Sequence, residues 1–277
     1  MLLSKEDFAG QHDLIGNIFD IVTYTSSKGS RRILKTFTFE IGTQEYDLGN
    51  NCTLLTFVEA TGGPIINVFN KCPFDIWPGV QGKPLVAGGD RWKNGKIWAR
   101  RNCNSNMVCD SGSCGPLECN GSAGEPPVSL VEVSLFHEDK HDLYYVSLLD
   151  GYNLPVFIEP VPGSYNKSGG ENDCVRAGGC FEDVLLTALE ELKVYKNGNV
   201  ASVKSACMKF NTDEYCCRKD FGTKERCNPS NWTINYTEIF KRGCPHAFTY
   251  SFDDNMSKFT CRGSSGRTSP DYTVQFC

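Results

Sequence analysis

Few histidines and no Cys-x2-Cys pair occur in this chain, and both absences argue against a zinc site. Only four histidines are present among 277 residues, and they are scattered along the chain. Structural zinc sites take their ligands from closely spaced cysteines and histidines. We therefore expect neither a metal nor another cofactor.

Excess positive charge and long apolar runs are also missing. The 28 lysines and arginines are outnumbered by 33 acidic residues, which gives a net charge of −5. A nucleic acid or an anionic membrane is therefore not suggested as a partner. Residues 1–7 carry charge where a secretion signal needs an apolar core, and no transmembrane segment is predicted.

Cysteine, in contrast, is abundant and unevenly distributed. Fourteen of the fifteen cysteines lie between Cys72 and Cys277 at short, irregular spacings, and Cys52 is left over. Such an even set is typical of a disulfide framework formed in an oxidising compartment, so we predict a secreted protein. Six N-glycosylation sequons also favour a secreted glycoprotein and begin at Asn51, Asn120, Asn166, Asn231, Asn235 and Asn255.

Short β-branched and aromatic runs fill the middle of the chain. Three of them predict strands, the last two forming an antiparallel hairpin: residues 65–69, 130–135 and 143–148. Apolar residues recur at helical spacing from Phe181 to Leu192, which predicts a helix followed by a turn at Asn197-Gly198. Residues 203–210 and 236–241 are further helical candidates.

Several ordered motifs from about Pro64 to Cys277 resemble the thaumatin-like protein family, the pathogenesis-related group 5 type, in its animal form. The matching stretches are NKCPF (70–74) with Trp77, IWAR (97–100), PPVSLVE (126–132), SLLDGYNLP (147–155), EYCC (214–217) and FKRGCP (240–245). The resemblance implies a mainly β fold. It would be a flattened antiparallel β-sandwich that carries a helical, disulfide-rich lobe and a small cysteine-rich hairpin lobe.

The resemblance also implies boundaries and disulfides. The sandwich core would comprise residues 64–100, 132–180 and 245–277, the hairpin lobe residues 101–131 and the helical lobe residues 181–244. The implied bridges are Cys72–Cys277, Cys103–Cys109, Cys114–Cys119, Cys174–Cys261, Cys180–Cys244, Cys207–Cys216 and Cys217–Cys227. Cys52 has no partner in this scheme, and is a free thiol or an intermolecular link.

Two regions depart from the family pattern. Residues 1–63 lie outside the resemblance, and a disordered extension or a gene-model artefact would explain them. Between Gly79 and Gly95 the chain omits about a strand and a turn that the family carries. Residues 36–41 alternate well enough to be a strand that fills this gap.

The functional residues implied by the resemblance line a cleft between the sandwich and the helical lobe. Glycan-binding members place one arginine and four acidic residues there, and the matching positions in this chain are Lys96, Glu132, Tyr145, Asp150 and His246. Glu132 and Asp150 are the two carboxyl groups that a glycosidase would use as acid and as nucleophile or base. The alternative is that Glu132 is an ordinary outward strand residue and Asp150 a turn-former.

Three functions follow from this comparison. The first is a secreted, monomeric, non-enzymatic defence protein that binds β-glucan or a related wall polysaccharide. The second is a weak endo-β-1,3-glucanase that uses Glu132 and Asp150. The third is an inhibitor of a digestive enzyme that acts through an exposed loop.

Two further motifs have simpler interpretations. His137-Glu138-Asp139-Lys140-His141 fits the zinc motif H-E-x-x-H, but it lies between two predicted strands, so we interpret it as a hairpin turn. Asp110-Ser111-Gly112 resembles a serine-protease nucleophile loop only faintly, and we interpret it as a turn bounded by disulfides.

Overall fold

Strands dominate the structure. A computed structural model describes residues 46–47, 53–57, 64–83, 92–115, 119, 121–135, 141–253, 258–264 and 266–277. The strands are β1 (Tyr46–Asp47), β2 (Thr53–Phe57), β3 (Ile66–Asn70), β4 (Ile76–Lys83), β5 (Lys93–Arg101), β6 (Leu130–Ser134), β7 (Asp142–Ser147), β8 (Val156–Pro160), β9 (Ala177–Gly178), β10 (Lys193–Lys196), β11 (Asn199–Val203), β12 (Ala247–Phe248), β13 (Phe259–Cys261) and β14 (Tyr272–Phe276). The α-helices are α1 (Val184–Thr187), α2 (Ala206–Phe210) and α3 (Tyr236–Gly243).

Most strands belong to two six-stranded sheets that share one core. The first sheet has the order β1-β2-β3-β14-β8-β9, and the second has the order β12-β7-β6-β5-β4, with β13 also paired to β7. Most neighbours are antiparallel, whereas β14 runs parallel to β3 and β12 parallel to β7. The predicted hairpin is confirmed, because β6 pairs antiparallel with β7.

Alternation along the strands decides which side chains enter the core. Successive residues of a strand point to opposite faces of the sheet. On β7, Tyr144 and Val146 are buried, while Tyr145 between them is only half-buried. The face of β7 that carries Tyr145 is therefore the outer face of the sandwich, and it is available for a site.

One buried carboxylate joins the two sheets. Asp142 at the start of β7 is fully buried and accepts hydrogen bonds from Tyr272 Oη at 2.8 Å and from Ser269 Oγ at 2.6 Å. Because Tyr272 belongs to β14 of the other sheet, this polar contact crosses the sandwich. Burial, followed by the charge of Asp142, raises the pKa of Tyr272 well above its usual value.

The first sheet also contains residues that precede the resemblance. β2 pairs antiparallel with β3, with Leu55 opposite Val68, and β1 pairs with β2. A segment of the N-terminal extension thus adds strands beside β3. The strand predicted at residues 36–41 lies outside the described residues, as does Cys52.

β4 and β5 form a hairpin in which Gly79 packs on a tryptophan. A Cβ atom on Gly79 would lie 2.4 Å from the ring of Trp98, far inside contact distance. Trp98 is fully buried, and its Nε1 donates to the Gly112 carbonyl at 2.9 Å. Only glycine therefore fits at this position while the indole keeps its place.

Seven disulfides join the described cysteines in the pairs that the resemblance implies. They are Cys72–Cys277, Cys103–Cys109, Cys114–Cys119, Cys174–Cys261, Cys180–Cys244, Cys207–Cys216 and Cys217–Cys227. Two of them lie within the sandwich and close long segments of chain, with sequence separations of 205 and 87. The last three lie in residues 180–244.

The prediction of one helix from Phe181 to Leu192 is wrong. The structure has only α1 and, after a break, a 3₁₀ turn at Glu190–Leu192. Asp183 caps α1, and the extended backbone of Ala188, with ψ at 149°, ends the helix after one turn. Phe181 is 80% exposed, so the apolar pattern did not mark one buried helical face.

The other two helical candidates give shorter or slightly longer helices. The segment 203–210 begins with the end of β11 and becomes helical at α2, whereas 236–241 lies inside α3. Within the described residues, no helix combines the length and apolar character needed to cross a membrane.

Candidate functional site

Three of the predicted site residues form a row across the second sheet. Lys96 on β5 lies opposite Glu132 on β6, and Glu132 lies opposite Tyr145 on β7. Tyr145 Oη donates a hydrogen bond to Glu132 Oε2 at 3.2 Å. The sheet register thus brings a cation, a carboxylate and a phenol together on the outer face.

Glu132 occupies an environment that favours its protonated form. Burial raises the pKa of Glu132 above its usual value, and the charge of Asp150 adds to this effect. The charge of Lys96 and hydrogen bonds from Tyr145 and Ser147 act in the opposite direction and only partly offset the burial. A carboxyl group with a raised pKa is suited to hold a proton and release it, as a general acid does.

Asp150 lies in the turn that follows β7. Its carbonyl accepts from the amide of Val128 at 2.9 Å, and the Gly151 amide donates to the Leu148 carbonyl at 3.0 Å. Gly151 has φ at +88°, and a Cβ atom there would lie 2.5 Å from the carbonyl of Val203. The turn therefore requires glycine after Asp150, both for its backbone conformation and for its close contact with β11.

The turn also joins the sandwich to the helical lobe. Tyr152 and Val203 exchange two backbone hydrogen bonds, of 2.9 and 2.7 Å. Ser205, the N-cap of α2, donates through Oγ to the carbonyl of Leu149 at 2.7 Å. These contacts fix the position of Asp150 relative to the lobe.

A cleft of about 150 Å³ opens between this turn and the lobe. Its polar lining includes Asp150, Ser205, Thr237, Thr249 and Ser251, and its aromatic lining is Tyr215, Trp232, Tyr236, Phe240 and Tyr250. The rings of Tyr215 and Trp232 meet edge to face at 5.1 Å, and those of Trp232 and Tyr250 at 6.1 Å. Such edge-to-face packing makes the aromatic wall rigid.

Sequence reasoning did not identify this aromatic wall. A signal was present, because Trp232 and Tyr236 lie inside the adjacent sequons that begin at Asn231 and Asn235. A sequon indicates a glycosylation site and does not indicate how the aromatic residues inside it are packed. Their three-dimensional arrangement depends on disulfides and turns that periodicity does not describe.

His246 is placed differently from the row. Its ring contacts Phe259 edge to face at 6.2 Å. The ring that packs against Tyr145 belongs to Phe248, at 5.0 Å. The described contacts therefore bring Lys96, Glu132 and Tyr145 together and extend the row with Phe248.

Of the two other motifs, the described residues His141 and Ser111 do not line this cleft. Residues 137–140 of the H-E-x-x-H motif lie outside the described residues. Among those described, no group of three or more histidine, cysteine, aspartate or glutamate side chains is arranged to hold a metal ion. Ser111 is buried, and its Oγ accepts from Asn153 Nδ2 at 3.1 Å, which fits a structural turn.

Comparison with known proteins gives consistent matches over most of the chain. The profile of the Thaumatin family matches residues 85–277. A pathogenesis-related thaumatin-like protein 3.5 from Cryptomeria japonica is 38% identical, over 78% of this chain and 90% of that protein. Pathogenesis-related protein 5 from Arabidopsis thaliana is 40% identical, over 75% of this chain and 87% of that protein.

A third relative carries an enzymatic name. The glucan endo-1,3-beta-glucosidase from Prunus avium is 34% identical, over 83% of this chain and 96% of that protein. All three relatives are plant proteins, so the animal-type assignment stays a prediction. Because the family match covers more than half of the chain and the relatives align over most of their own lengths, this protein belongs to the thaumatin family.

Proposed function

We propose that this chain is a secreted defence protein that binds β-1,3-glucan or a related wall polysaccharide at the cleft beside Asp150. The observation that carries the proposal is the juxtaposition of a carboxylate with an aromatic wall. Sugar hydroxyls donate hydrogen bonds to carboxylates, and the apolar face of a pyranose packs on aromatic rings. Asp150 and the half-buried Tyr215 and Tyr250 offer both kinds of contact at one cleft.

The size of the cleft favours a polymer that lies along it. A volume of about 150 Å³ is below the range of about 300–1,000 Å³ in pockets that enclose drug-sized ligands. The row of Lys96, Glu132 and Tyr145 lies on the outer face of the neighbouring sheet and is coupled electrostatically to Asp150. A polysaccharide chain that extends from the cleft toward this row would meet both groups.

The names of two relatives and the disulfides support different parts of the proposal. The relatives in Cryptomeria and Arabidopsis are named as pathogenesis-related proteins, which supports a role in defence. Seven disulfides require an oxidising compartment, which supports secretion. Asn166 and Asn231 are exposed and available for glycosylation in that compartment.

Hydrolysis of the bound glucan is a second candidate function. The raised pKa of Glu132 is what a general acid needs, and the Prunus relative is named as a glucanase. In this mechanism Glu132 would protonate the leaving oxygen, and Asp150 would act as nucleophile or base. Tyr145, which donates to Glu132, would hold the carboxyl group in position.

Replacement of the two acids by amides separates these functions. The double variant Glu132→Gln with Asp150→Asn keeps shape and removes both charges. For a binding protein, affinity for a linear β-1,3-glucan oligosaccharide should fall by about 1–3 kcal/mol, as for lost charge-assisted hydrogen bonds. For a glucanase, the release of reducing ends should be abolished while binding persists.

A matched control is Glu125→Gln with Asp220→Asn, since both residues are exposed and neither lines the cleft. It removes the same charge and should leave binding unchanged. Equal affinity in the site variant and the wild type, without hydrolysis by either, would overturn both functions. An inhibitory contact with a digestive enzyme would then be the next function to test.

A further inference from the structure

A second, larger cavity lies on another part of the sandwich and shares no lining residue with the aromatic cleft. Its volume is about 530 Å³, within the range of about 300–1,000 Å³ typical of ligand pockets. Its walls come from two loops, residues 166–168 with Asp173 and residues 262–263 with 266–268, together with His141 before β7. None of these residues is used by the proposed glucan site.

The two loops are cross-linked, so the walls of the cavity are preorganised. Tyr165 and Gly263 form a β-bridge, and the Asn166 amide donates to the Arg262 carbonyl at 3.3 Å. The disulfide Cys174–Cys261 joins the bases of the two loops. A ligand would therefore pay little ordering cost when it binds.

The cavity is basic, although the chain as a whole is acidic. Lys167 and Arg262 are exposed, and neither forms an ion pair within the described part of the chain. Arg267, a third cation of the lining, is paired with Asp271. Two cations that have no ion pair among the described residues therefore line one cavity in a protein with a net charge of −5.

The described acidic groups of the same loop do not form ion pairs with these two cations. The carboxylate of Asp173 accepts hydrogen bonds from the amides of Ser168 and Gly169, which occupies it within its own loop. Glu171 is exposed on the same loop but does not line the cavity. The remaining donors of the wall include Ser168 and Thr268.

We propose that this cavity binds an oxyanion group (a carboxylate, phosphate or sulfate) carried by a sugar-sized polar molecule. The guanidinium of Arg262 offers a planar fork that matches such groups, and the ammonium of Lys167 adds a second charge. The neutral donors around them suit hydroxyl groups on the rest of the ligand. The proposal does not depend on glucan binding at the aromatic cleft.

Titration calorimetry of the full-length chain, made in the bacterial periplasm so that Asn166 bears no glycan, tests the proposal. The probes are glucuronate, glucose 6-phosphate and glucose 6-sulfate, with glucose as the neutral control. We expect at least one anionic sugar to bind and glucose not to bind. The probe that binds most tightly identifies the kind of oxyanion that the cavity prefers.

Four variants that each remove one positive charge distinguish a specific site from the overall electrostatic effect of the protein. Lys167→Gln and Arg262→Gln should each weaken the binding of the tightest-binding anionic sugar at least tenfold. Lys196→Gln and Arg176→Gln remove the same charges from exposed positions outside the cavity and should change its affinity less than twofold. Equal losses in all four variants, or no binding of any anionic sugar to the wild type, would overturn the proposal.

Discussion

The sandwich and the helical lobe are stabilised in different ways. The sandwich is held by two hydrogen-bonded sheets, a shared apolar core and the buried contact between Asp142 and Tyr272. The lobe, residues 181–244, has three short α-helices, three 3₁₀ turns and one separate hairpin among its described elements. Three disulfides and the aromatic wall provide much of its order.

The sandwich positions the row of site residues, and the lobe supplies the aromatic side of the cleft. The sandwich fixes Lys96, Glu132 and Tyr145 by strand register, which tolerates little movement. The lobe supplies the aromatic wall opposite Asp150 and depends on cross-links for its position. Changes to the two regions should therefore have different consequences for stability and for ligand binding.

Removal of the bridge Cys180–Cys244 should have the largest effect and should act mainly on the lobe. This bridge joins the two ends of the lobe across 64 residues. The chain-entropy model gives about 4 kcal/mol for a loop of that length. In the variant Cys180→Ala with Cys244→Ala, we expect amide hydrogen exchange to accelerate in α2 and α3 far more than in β7.

The control for this experiment is Cys114→Ala with Cys119→Ala, which opens a loop with a separation of only 5. The same model gives about 2 kcal/mol for that bridge. Equal acceleration of exchange in β7 and α3 after loss of Cys180–Cys244 would show that the two regions unfold as one unit.

Gly79→Ala should damage the sandwich and leave the lobe intact. The added Cβ atom meets the fully buried ring of Trp98, so overpacking should cost about 1–3 kcal/mol. Gly170→Ala is a matched control, because its nearest neighbour would be at 3.6 Å. Urea unfolding of both variants measures the effect, and equal midpoints would contradict the described contact.

Tyr272→Phe tests the polar contact between the sheets. The variant removes one donor to the buried Asp142 and keeps the ring, so we expect a loss of about 1–2 kcal/mol in the free energy of unfolding. Tyr195→Phe removes an exposed hydroxyl that donates to Glu190 and should cost less than about 0.5 kcal/mol. Indistinguishable unfolding curves for these two variants would argue against a structural role for the Asp142 contact.

The contribution of Glu132 to the pH dependence of the free energy of unfolding should be the smallest of these effects. Because burial raises its pKa above the usual value of 4.5, the folded protein holds this proton more tightly than the unfolded chain. The stability linked to this group is therefore present below pH 4.5 and is lost as the pH rises through the folded pKa.

Glu132→Gln does not titrate and should lose that dependence. Relative to the wild type, its stability should rise between about pH 4 and about pH 7, because only the wild type loses the contribution of the bound proton over that range. Urea unfolding at the two pH values measures the change, with the exposed Glu125→Gln as the control. A parallel pH profile for variant and wild type would contradict a raised pKa.

The sandwich was more predictable from sequence than the lobe, for a physical reason. Strand alternation reports directly which residues are buried, so the pairing of β6 with β7 could be predicted from composition and spacing alone. In the lobe, Phe181 to Leu192 had helical spacing, but α1 begins only after its N-cap Asp183 and ends at the extended backbone of Ala188. Turns and cross-links outweigh the weak helical preference of such short segments.

The candidate site residues were predicted from their match to family motifs, and strand register explains the arrangement of only some of them. Lys96, Glu132 and Tyr145 come together because their positions are fixed by pairing. The ring contact of His246 with Phe259 and the aromatic wall around Trp232 depend on tertiary packing, which the spacing of residues in sequence does not report.

We propose that the ligand binds where the lobe meets the sandwich. Amide hydrogen exchange, measured with and without a linear β-1,3-glucan hexasaccharide, tests this location. Bound glucan should slow exchange at residues 149–151 and in the lobe segments that contain Tyr215 and Trp232. Residues 101–115, which do not line the cleft, should be unaffected. Slower exchange confined to residues outside the cleft, or no change at a concentration that saturates binding, would contradict the account.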